Sequence, residues 1–217
     1  TLYNIYNSIG VFVLILLIYF FALGLKADKF FAASTAIFIV AGHTIVDRRA
    51  FFEPYFNMYG RSLYPYISSL AFFAYLILLV RALKSPSFIR TMFAGALFGL
   101  LFYVYSYAYT FVFIFNGFLF LIFIFKREWQ SAKRVFLISV LGILIGAYNI
   151  LRTLMFIISS AGQQFSYFYG ARYEHALAYG KLGPLILALF SIFAYKKRGD
   201  ENLPILYALL LAGWFSI

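Results

Sequence analysis

The charged residues that could act on a substrate lie mainly in two polar connections between long apolar runs. The first, HTIVDRRAFFEPYFNMYGRSLYPY from His43 to Tyr66, contains Asp47, Arg49, Glu53 and Arg61 among seven Phe and Tyr rings. A guanidinium presents a planar fork that matches phosphate oxygens, so Arg49 and Arg61 are candidate phosphate ligands. Asp47 or Glu53 is a candidate general base or ligand of a divalent metal, and no other cofactor is predicted. The alternative is that these charges cap helix ends among lipid headgroups while the rings form an aromatic belt.

The second connection contains the segment SSAGQQFSYFYGARYEHALAYGKLGP, from Ser159 to Pro184. Arg172, Glu174 and His175 occur there together with two glutamines and several tyrosines. Such a mixture suits a sugar or a lipid-phosphate headgroup, because rings stack on the sugar and polar groups bond its hydroxyls. The alternative is that Glu174 and His175 are solvated loop residues.

A third candidate is Arg152, which follows Asn149 by about one helical turn near the end of an apolar run. An arginine at that depth either extends to the headgroups or points inward at an anionic substrate, and the sequence leaves both open. We take Arg152 and Arg172 as the candidate contacts for a donor phosphate. Leu151–Ile158 is too short to cross a membrane, and we expect it to continue the preceding helix.

The composition indicates the kind of element that must position these groups. The chain has 217 residues, of which 65% are apolar and 12% charged, whereas soluble domains are about 25% charged. This excludes a water-soluble domain and predicts one integral membrane domain over residues 1–217. The absence of cysteine excludes disulfides, thiolate metal sites and thiol catalysis. The net charge is +11, and we expect its Lys and Arg residues to set the membrane topology and to contact anionic lipid. No nucleic-acid partner is expected.

The apolar runs predict an all-α fold, a polytopic transmembrane bundle of seven to eight spans with two long exoplasmic connections. The predicted spans are Ile9–Leu25, Phe30–Val46, Ile67–Val80, Met92–Tyr105, Phe111–Phe125, Val135–Ile150, Leu182–Tyr195 and Leu203 onward. The continuous run from Met92 to Phe125 would form about 50 Å of helix, which is too long for one crossing, so we expect a hairpin around residues 106–110. The two glycines of AGALFG, Gly95 and Gly99, are expected to permit close helix packing.

If the spans alternate, one side collects twelve basic residues in short loops and the other collects six. The twelve are Lys26, Lys29, Arg81, Lys84, Arg90, Lys126, Arg127, Lys133, Arg134, Lys196, Lys197 and Arg198. The positive-inside rule makes this side cytoplasmic and places both long connections on the exoplasmic side. We therefore expect the chemistry of the chain to take place outside the cytoplasm.

Three stretches resemble the multispanning glycosyltransferases of the GT-C class, which take sugars from polyprenyl-phosphate donors. They are RSLYPYISSLAFFAYLILLVRAL from Arg61 to Leu83, FAGALFGLLFYVYSYAYTFVF from Phe93 to Phe113, and KREWQSAKR from Lys126 to Arg134. The resemblance implies a lipid-linked sugar donor, a glycan or protein acceptor, and a location in the bacterial plasma membrane. It also implies a catalytic acid in the first exoplasmic loop. Because the chain begins at Thr1 and ends within an apolar run, we expect it to be a fragment whose principal acid precedes Thr1.

Three rival functions remain open from the sequence. A transporter or lipid-carrier flippase would use the arginines to attract an anionic cargo, but the span centres are apolar except for isolated groups such as Asn116. A polysaccharide polymerase or ligase would also use long external loops with arginine. The third rival is a purely structural subunit, which gains from the lack of a paired acid motif.

Overall fold

The computed structural model describes residues 2–46, 64–104, 106–159 and 200–215, and within these ranges it contains helices and no strand. Seven helices are described, numbered here in chain order. They are α1 (Leu2–Gly24), α2 (Lys29–Val46), α3 (Tyr64–Lys84), α4 (Phe88–Val104), α5 (Ser106–Phe125), α6 (Trp129–Ile158) and α7 (Leu203–Phe215). The predicted all-α fold is therefore confirmed for the described residues. The predicted span Leu182–Tyr195 lies outside them.

Two of the tight turns are built on cationic residues with left-handed backbone. Lys26, after α1, has φ 62° and Arg127, after α5, has φ 60°. At the first turn the Ala27 amide donates to the Ala22 carbonyl at 3.2 Å, which is the bond that closes a Schellman-type helix end. The carboxylate of Asp28 then accepts a hydrogen bond from the Phe31 amide at 2.9 Å and caps the start of α2. These local bonds reverse the chain within four residues.

The core lies among α3, α4 and α5, with α6 and α7 packed around it. Tyr75, Phe98 and Phe115 are fully buried there. A second, smaller core joins α1 to α2, where Leu14 and Val40 are in one buried cluster on either side of the turn at Lys26. That arrangement makes α1 and α2 an antiparallel hairpin.

The run from Met92 to Phe125 is split into two helices, as predicted, but the break comes earlier than expected. Residues 106–110 are already in the first turns of α5, and α4 ends at Val104. Tyr75 contacts both Phe98 of α4 and Asn116 of α5, on opposite sides of the break. The two helices therefore run antiparallel, which confirms the hairpin and corrects its position.

Helices α4 and α6 approach each other closely through glycines on both sides. A Cβ at Gly95 would lie 2.7 Å from Leu141, and one at Gly99 would lie 2.5 Å from the Cβ of Ile145. The reciprocal glycines are Gly142 and Gly146, where a Cβ would clash with the rings of Phe98 and Phe102 respectively. The predicted close packing at Gly95 and Gly99 is thus confirmed.

The outside of the bundle is apolar, and several helices are long enough to cross a bilayer. Three described helices contain spans of sufficient length and hydropathy, at Ile67–Lys84, Ala108–Phe125 and Trp129–Phe156. The other four are apolar over shorter stretches. Phe93 and Leu144 are more than 60% exposed, which is typical of lipid-facing rather than water-facing positions. The structure therefore has the features of a membrane protein, while the number of seven to eight spans stays a prediction.

Candidate functional site

One end of the bundle collects almost all the charges of the described residues. Nine basic residues and four acidic residues lie there, in the last turn of α3, in the turns after α1 and α5, in the first turns of α2, α4 and α6, and just before α7. They are Lys26, Lys29, Arg81, Lys84, Arg90, Lys126, Arg127, Lys133 and Arg134, with Asp28, Glu128, Asp200 and Glu201. We call this set the basic end. Its nine cations are the described members of the twelve that the sequence assigned to one side.

An ion-pair cluster joins three separate segments at the basic end. The Nζ atom of Lys26 lies 2.6 Å from Oε1 of Glu201, and Nζ of Lys84 lies 3.6 Å from the same oxygen. Lys84 also donates to the Gly24 carbonyl at 2.7 Å. The hydrogen bond and charge of Lys26 lower the pKa of Glu201 below its usual value, and Glu201 in turn raises the pKa of Lys26. Lys26 and Glu201 are well exposed, so their ion pair contributes little to stability. The cluster links the turn after α1, the end of α3 and the residues before α7.

Two more polar bonds connect helix ends at the same level. Arg134 donates to the Leu83 carbonyl at 3.3 Å, which ties the start of α6 to the end of α3. Asn202 donates through Nδ2 to the Leu25 carbonyl at 3.2 Å and ties the start of α7 to the α1–α2 turn. The loops that the sequence assigned to one side are therefore brought together in space.

Arg152 lies at the opposite end, and it is the one charged residue among the described residues that does not belong to the basic end. Helix α6 carries no charge between Arg134 and Arg152, a separation of 18 residues or about 27 Å along the axis. That length is close to the thickness of a bilayer's hydrocarbon core, so the two arginines suit opposite interfaces. Arg152 is exposed, and its side chain forms no hydrogen bond or ion pair with another described residue.

The residues near Arg152 are aromatic and polar, and two of their side chains donate hydrogen bonds to backbone carbonyls of the neighbouring helix. The side chain of Asn149 donates to the Phe102 carbonyl, and the Tyr103 hydroxyl donates to the Ile145 carbonyl at 2.9 Å. The Asn149 side chain therefore links α6 to α4. Asn149 and Arg152, which the sequence analysis paired, have different roles. Arg152 keeps its donors available, whereas Asn149 fixes the helix that carries it.

In the tyrosine-rich segment from Tyr103 to Thr110, the structure describes the side chains of Tyr103 and Tyr109. The Tyr109 ring stacks on the Phe102 ring, with centroids 4.5 Å apart and an interplanar angle of 21°. Tyr103 and the exposed Tyr148 lie on α4 and α6. The result is a partly aromatic surface at the end of the bundle that carries Arg152.

A buried polar pair in the middle of the bundle was not identified as a pair from the sequence. The Tyr75 hydroxyl donates to Oδ1 of Asn116 at 2.6 Å, and the two residues are 0% and 2% exposed. Nδ2 of Asn116 has no hydrogen-bond partner among the described residues. An isolated asparagine in an apolar run was the available signal, but its partner lies 41 residues away.

Most of the predicted site residues lie outside the described residues. This applies to Asp47, Arg49, Glu53 and Arg61 of the first connection, and to the three candidates of the second, Arg172, Glu174 and His175. Their roles stay predictions. Leu151–Ile158 is described and continues α6, as expected. Within the described ranges no group of three or more His, Asp or Glu side chains could hold a metal ion.

Comparison with known proteins gives no relative on which to base a function. No protein-family model, curated protein or solved structure matches the chain.

Proposed function

We propose that the chain is the membrane core of a glycosyltransferase that moves a sugar from a lipid-linked phosphate donor to a glycan or protein acceptor at the exoplasmic face. The observation that carries this proposal is the isolation of Arg152, a guanidinium without a described partner at the end opposite nine cations. A donor anchored in the bilayer presents its phosphate at this level. The exposed fork of Arg152 can bind such a phosphate through two parallel hydrogen bonds.

The transfer assigns a distinct task to each candidate group. A carboxylate takes the proton of the acceptor hydroxyl, and the oxygen attacks the anomeric carbon of the sugar. The bond between that carbon and the donor phosphate oxygen breaks, and the phosphate keeps the electron pair. Arg152, with Arg172 as the second candidate, offsets the charge that develops on the phosphate. Asp47 and Glu53 are this chain's candidates for the carboxylate, with or without a divalent metal.

The buried polar pair favours transfer over transport. A transporter or flippase needs polar groups that line a path near the bilayer midplane. Tyr75 and Asn116 are bonded to each other and closed to solvent, so they do not line such a path. A polymerase or ligase would use the same exoplasmic groups, and the size of the product distinguishes it from a transferase.

The test is to assay sugar transfer from a polyprenyl-phosphate sugar in membranes from cells that express one of four variants: Arg152→Ala, Arg152→Lys, Arg172→Ala or Lys133→Ala. Loss of one group that stabilises the transition state lowers kcat by about 10²–10³, so Arg152→Ala should fall in that range. Arg152→Lys keeps the charge without the planar fork and should be intermediate. Lys133→Ala removes an exposed cation from the other end of the same helix and should leave transfer unchanged. Normal turnover in both Arg152→Ala and Arg172→Ala would overturn the proposal.

The proposed sidedness has its own test, because the chain has no cysteine of its own. Single cysteines at Asn57 and Gln163 should react with a membrane-impermeant thiol reagent in intact cells, and one at Ser131 should not. Protection of the first two, with reaction at Ser131, would place the long connections in the cytoplasm. The donor and acceptor would then have to be sought on the other side.

A further inference from the structure

At the basic end, a shallow groove runs between the last turns of α1 and α3. It encloses about 240 Å³. Its walls are mostly apolar, formed by Phe20, Phe21, Leu23, Gly24, Ile77 and Val80, and its remaining lining residue is Arg81. The volume corresponds to about eight water molecules in the liquid, which is enough for a short stretch of one hydrocarbon chain.

The lining changes from polar to apolar along the helix axes. Arg81 is exposed at the level of the turns, and Ile77 lies one helical turn deeper, about 6 Å toward the middle of the bundle. Phe20 lies at the corresponding distance from Gly24 on α1. The groove therefore places a cation where lipid headgroups begin and apolar walls where acyl chains begin.

Arg81 differs from Lys26 and Lys84 because its guanidinium has no acidic or carbonyl partner among the described residues. Lys26 and Lys84 share Glu201, and Lys84 also donates to the Gly24 carbonyl. The Arg81 side chain forms no hydrogen bond or ion pair with another described residue. Among the acids of the basic end, Glu201 is bound to the two lysines, and cations outnumber acids nine to four there.

We propose that this groove binds one anionic phospholipid, with its phosphate on Arg81 and part of an acyl chain between α1 and α3. Charge complementarity selects this occupant, because a guanidinium above an apolar channel matches a phosphate above a hydrocarbon chain. A zwitterionic lipid carries the same phosphate, but its choline group adds a positive charge beside the basic end. The site is independent of the proposed glycosyl transfer, which involves the other end of the bundle.

The absence of a side chain at Gly24 keeps the groove open. A Cβ there would lie 3.7 Å from Cγ1 of Val80, which is ordinary contact, and the described glycines all have negative φ. The backbone at residue 24 can therefore carry a leucine without strain, and in Gly24→Leu the new side chain would fill the groove. This variant tests the hydrocarbon contact without changing any charge.

The experiment measures lipid binding to the purified protein by native mass spectrometry, with phosphatidylglycerol and phosphatidylcholine of the same acyl chains. The wild-type protein should retain one phosphatidylglycerol in preference to phosphatidylcholine, and glycerol phosphate without acyl chains should not compete. Arg81→Gln should weaken the binding of phosphatidylglycerol about fivefold, the loss expected for one basic residue near an anionic lipid. Gly24→Leu should weaken both lipids. Arg90→Gln is the control for loss of charge, because Arg90 lies at the same end outside the groove, where it donates to the Ser85 carbonyl; it should change binding less than about twofold.

Four results would overturn the proposal. Equal affinity of the wild-type protein for the two lipids would remove the charge selectivity. An equal loss in Arg81→Gln and Arg90→Gln would mean that lipid responds to the general field of the basic end. Unchanged binding in Gly24→Leu would place the lipid elsewhere, and a dimer that this variant dissociates would make a second copy of the chain the occupant. Arg81 is exposed, so Arg81→Gln keeps the proposal testable even if Gly24→Leu fails to fold.

Discussion

The contact between α4 and α6 predicts that Gly99→Ala destabilises the bundle. The added Cβ would lie 2.5 Å from Cβ of Ile145, 2.6 Å from its Cγ2 and 3.1 Å from the Gly142 carbonyl oxygen. Carbon atoms in favourable contact are about 3.5–4.0 Å apart, so the two helices must separate by about 1 Å. Ile145 cannot rotate its own Cβ away, because that atom is fixed to the backbone of α6. Overpacking of this kind costs about 1–3 kcal/mol.

Gly117→Ala provides the control, because it makes the same chemical change without the clash. A Cβ at Gly117, on the outer face of α5, meets no heavy atom within 4 Å. Both substitutions gain up to about 1 kcal/mol of helix propensity, so this term cancels when the two variants are compared. The free energy of unfolding of Gly99→Ala should therefore be about 1–3 kcal/mol below that of Gly117→Ala.

The comparison is made by titrating both variants with SDS in mixed micelles and following the loss of helix by circular dichroism. The wild-type protein should lie between them or close to Gly117→Ala. Equal unfolding free energies in the two alanine variants would refute the reasoning, because the close approach of α4 and α6 would then contribute nothing to stability.

Three further predictions use the same titration. The charge of Glu201 stabilises the fold fully above its usual pKa of 4.5, and this contribution is lost as pH falls through its lowered folded pKa. The charge of Lys26 stabilises the fold fully below its usual pKa of 10.5, and this contribution is lost as pH rises through its raised folded pKa. The difference between wild-type and Glu201→Gln should therefore be largest between these limits, and a difference that grows in acid would contradict the pairing. Tyr75→Phe leaves the buried amide of Asn116 without its partner and should cost about 1 kcal/mol, while adding Asn116→Leu should recover most of that loss; a double variant no more stable than Tyr75→Phe would contradict this. Asn202→Ala removes the bond from the start of α7 to the α1–α2 turn and should cost about 1 kcal/mol, and an unchanged midpoint would show that this bond contributes nothing.

Much of the helix order could be read from the sequence, because charges interrupt the apolar runs close to the helix ends. The predicted span Met92–Tyr105, for example, corresponds to α4 at Phe88–Val104. The observed helices extend further than the apolar runs, since flanking polar residues such as Arg90 continue the backbone pattern. The position of the hairpin break was missed because residues 103–110 are tyrosine-rich on both sides of it and carry no proline or glycine.

Lateral packing was much harder to predict. In a membrane bundle the lipid-facing and helix-facing sides are both apolar, so periodicity does not reveal which helices touch. Gly95 and Gly99 marked one side of the α4–α6 contact, but nothing in the sequence joined them to Gly142 and Gly146. The bond between Tyr75 and Asn116 is likewise a contact between distant parts of the chain.

Of the candidate site, the sequence identified Arg152 but left two roles open for it. The structure gives its exposure and its lack of a described partner, and it shows that Asn149 instead bonds the backbone of α4. The ion pair between Glu201 and Lys26 went unnoticed because the two residues are 175 positions apart. The net charge of the basic end could be anticipated, whereas the position of Arg81 beside an apolar groove depends on the packing of α1 against α3.

The spacing of Arg134 and Arg152 along α6 has a consequence for the membrane in which the protein works best. A hydrophobic stretch of about 27 Å is slightly shorter than an average hydrocarbon core of about 30 Å, so α6 should stand nearly upright there, with its two arginines reaching outward to the surfaces. Thicker, sterol-rich bilayers would have to thin around it, and thinner ones would make it tilt. Lipids of graded acyl length should therefore change the tilt of α6 and, with it, the depth at which Arg152 meets an incoming headgroup.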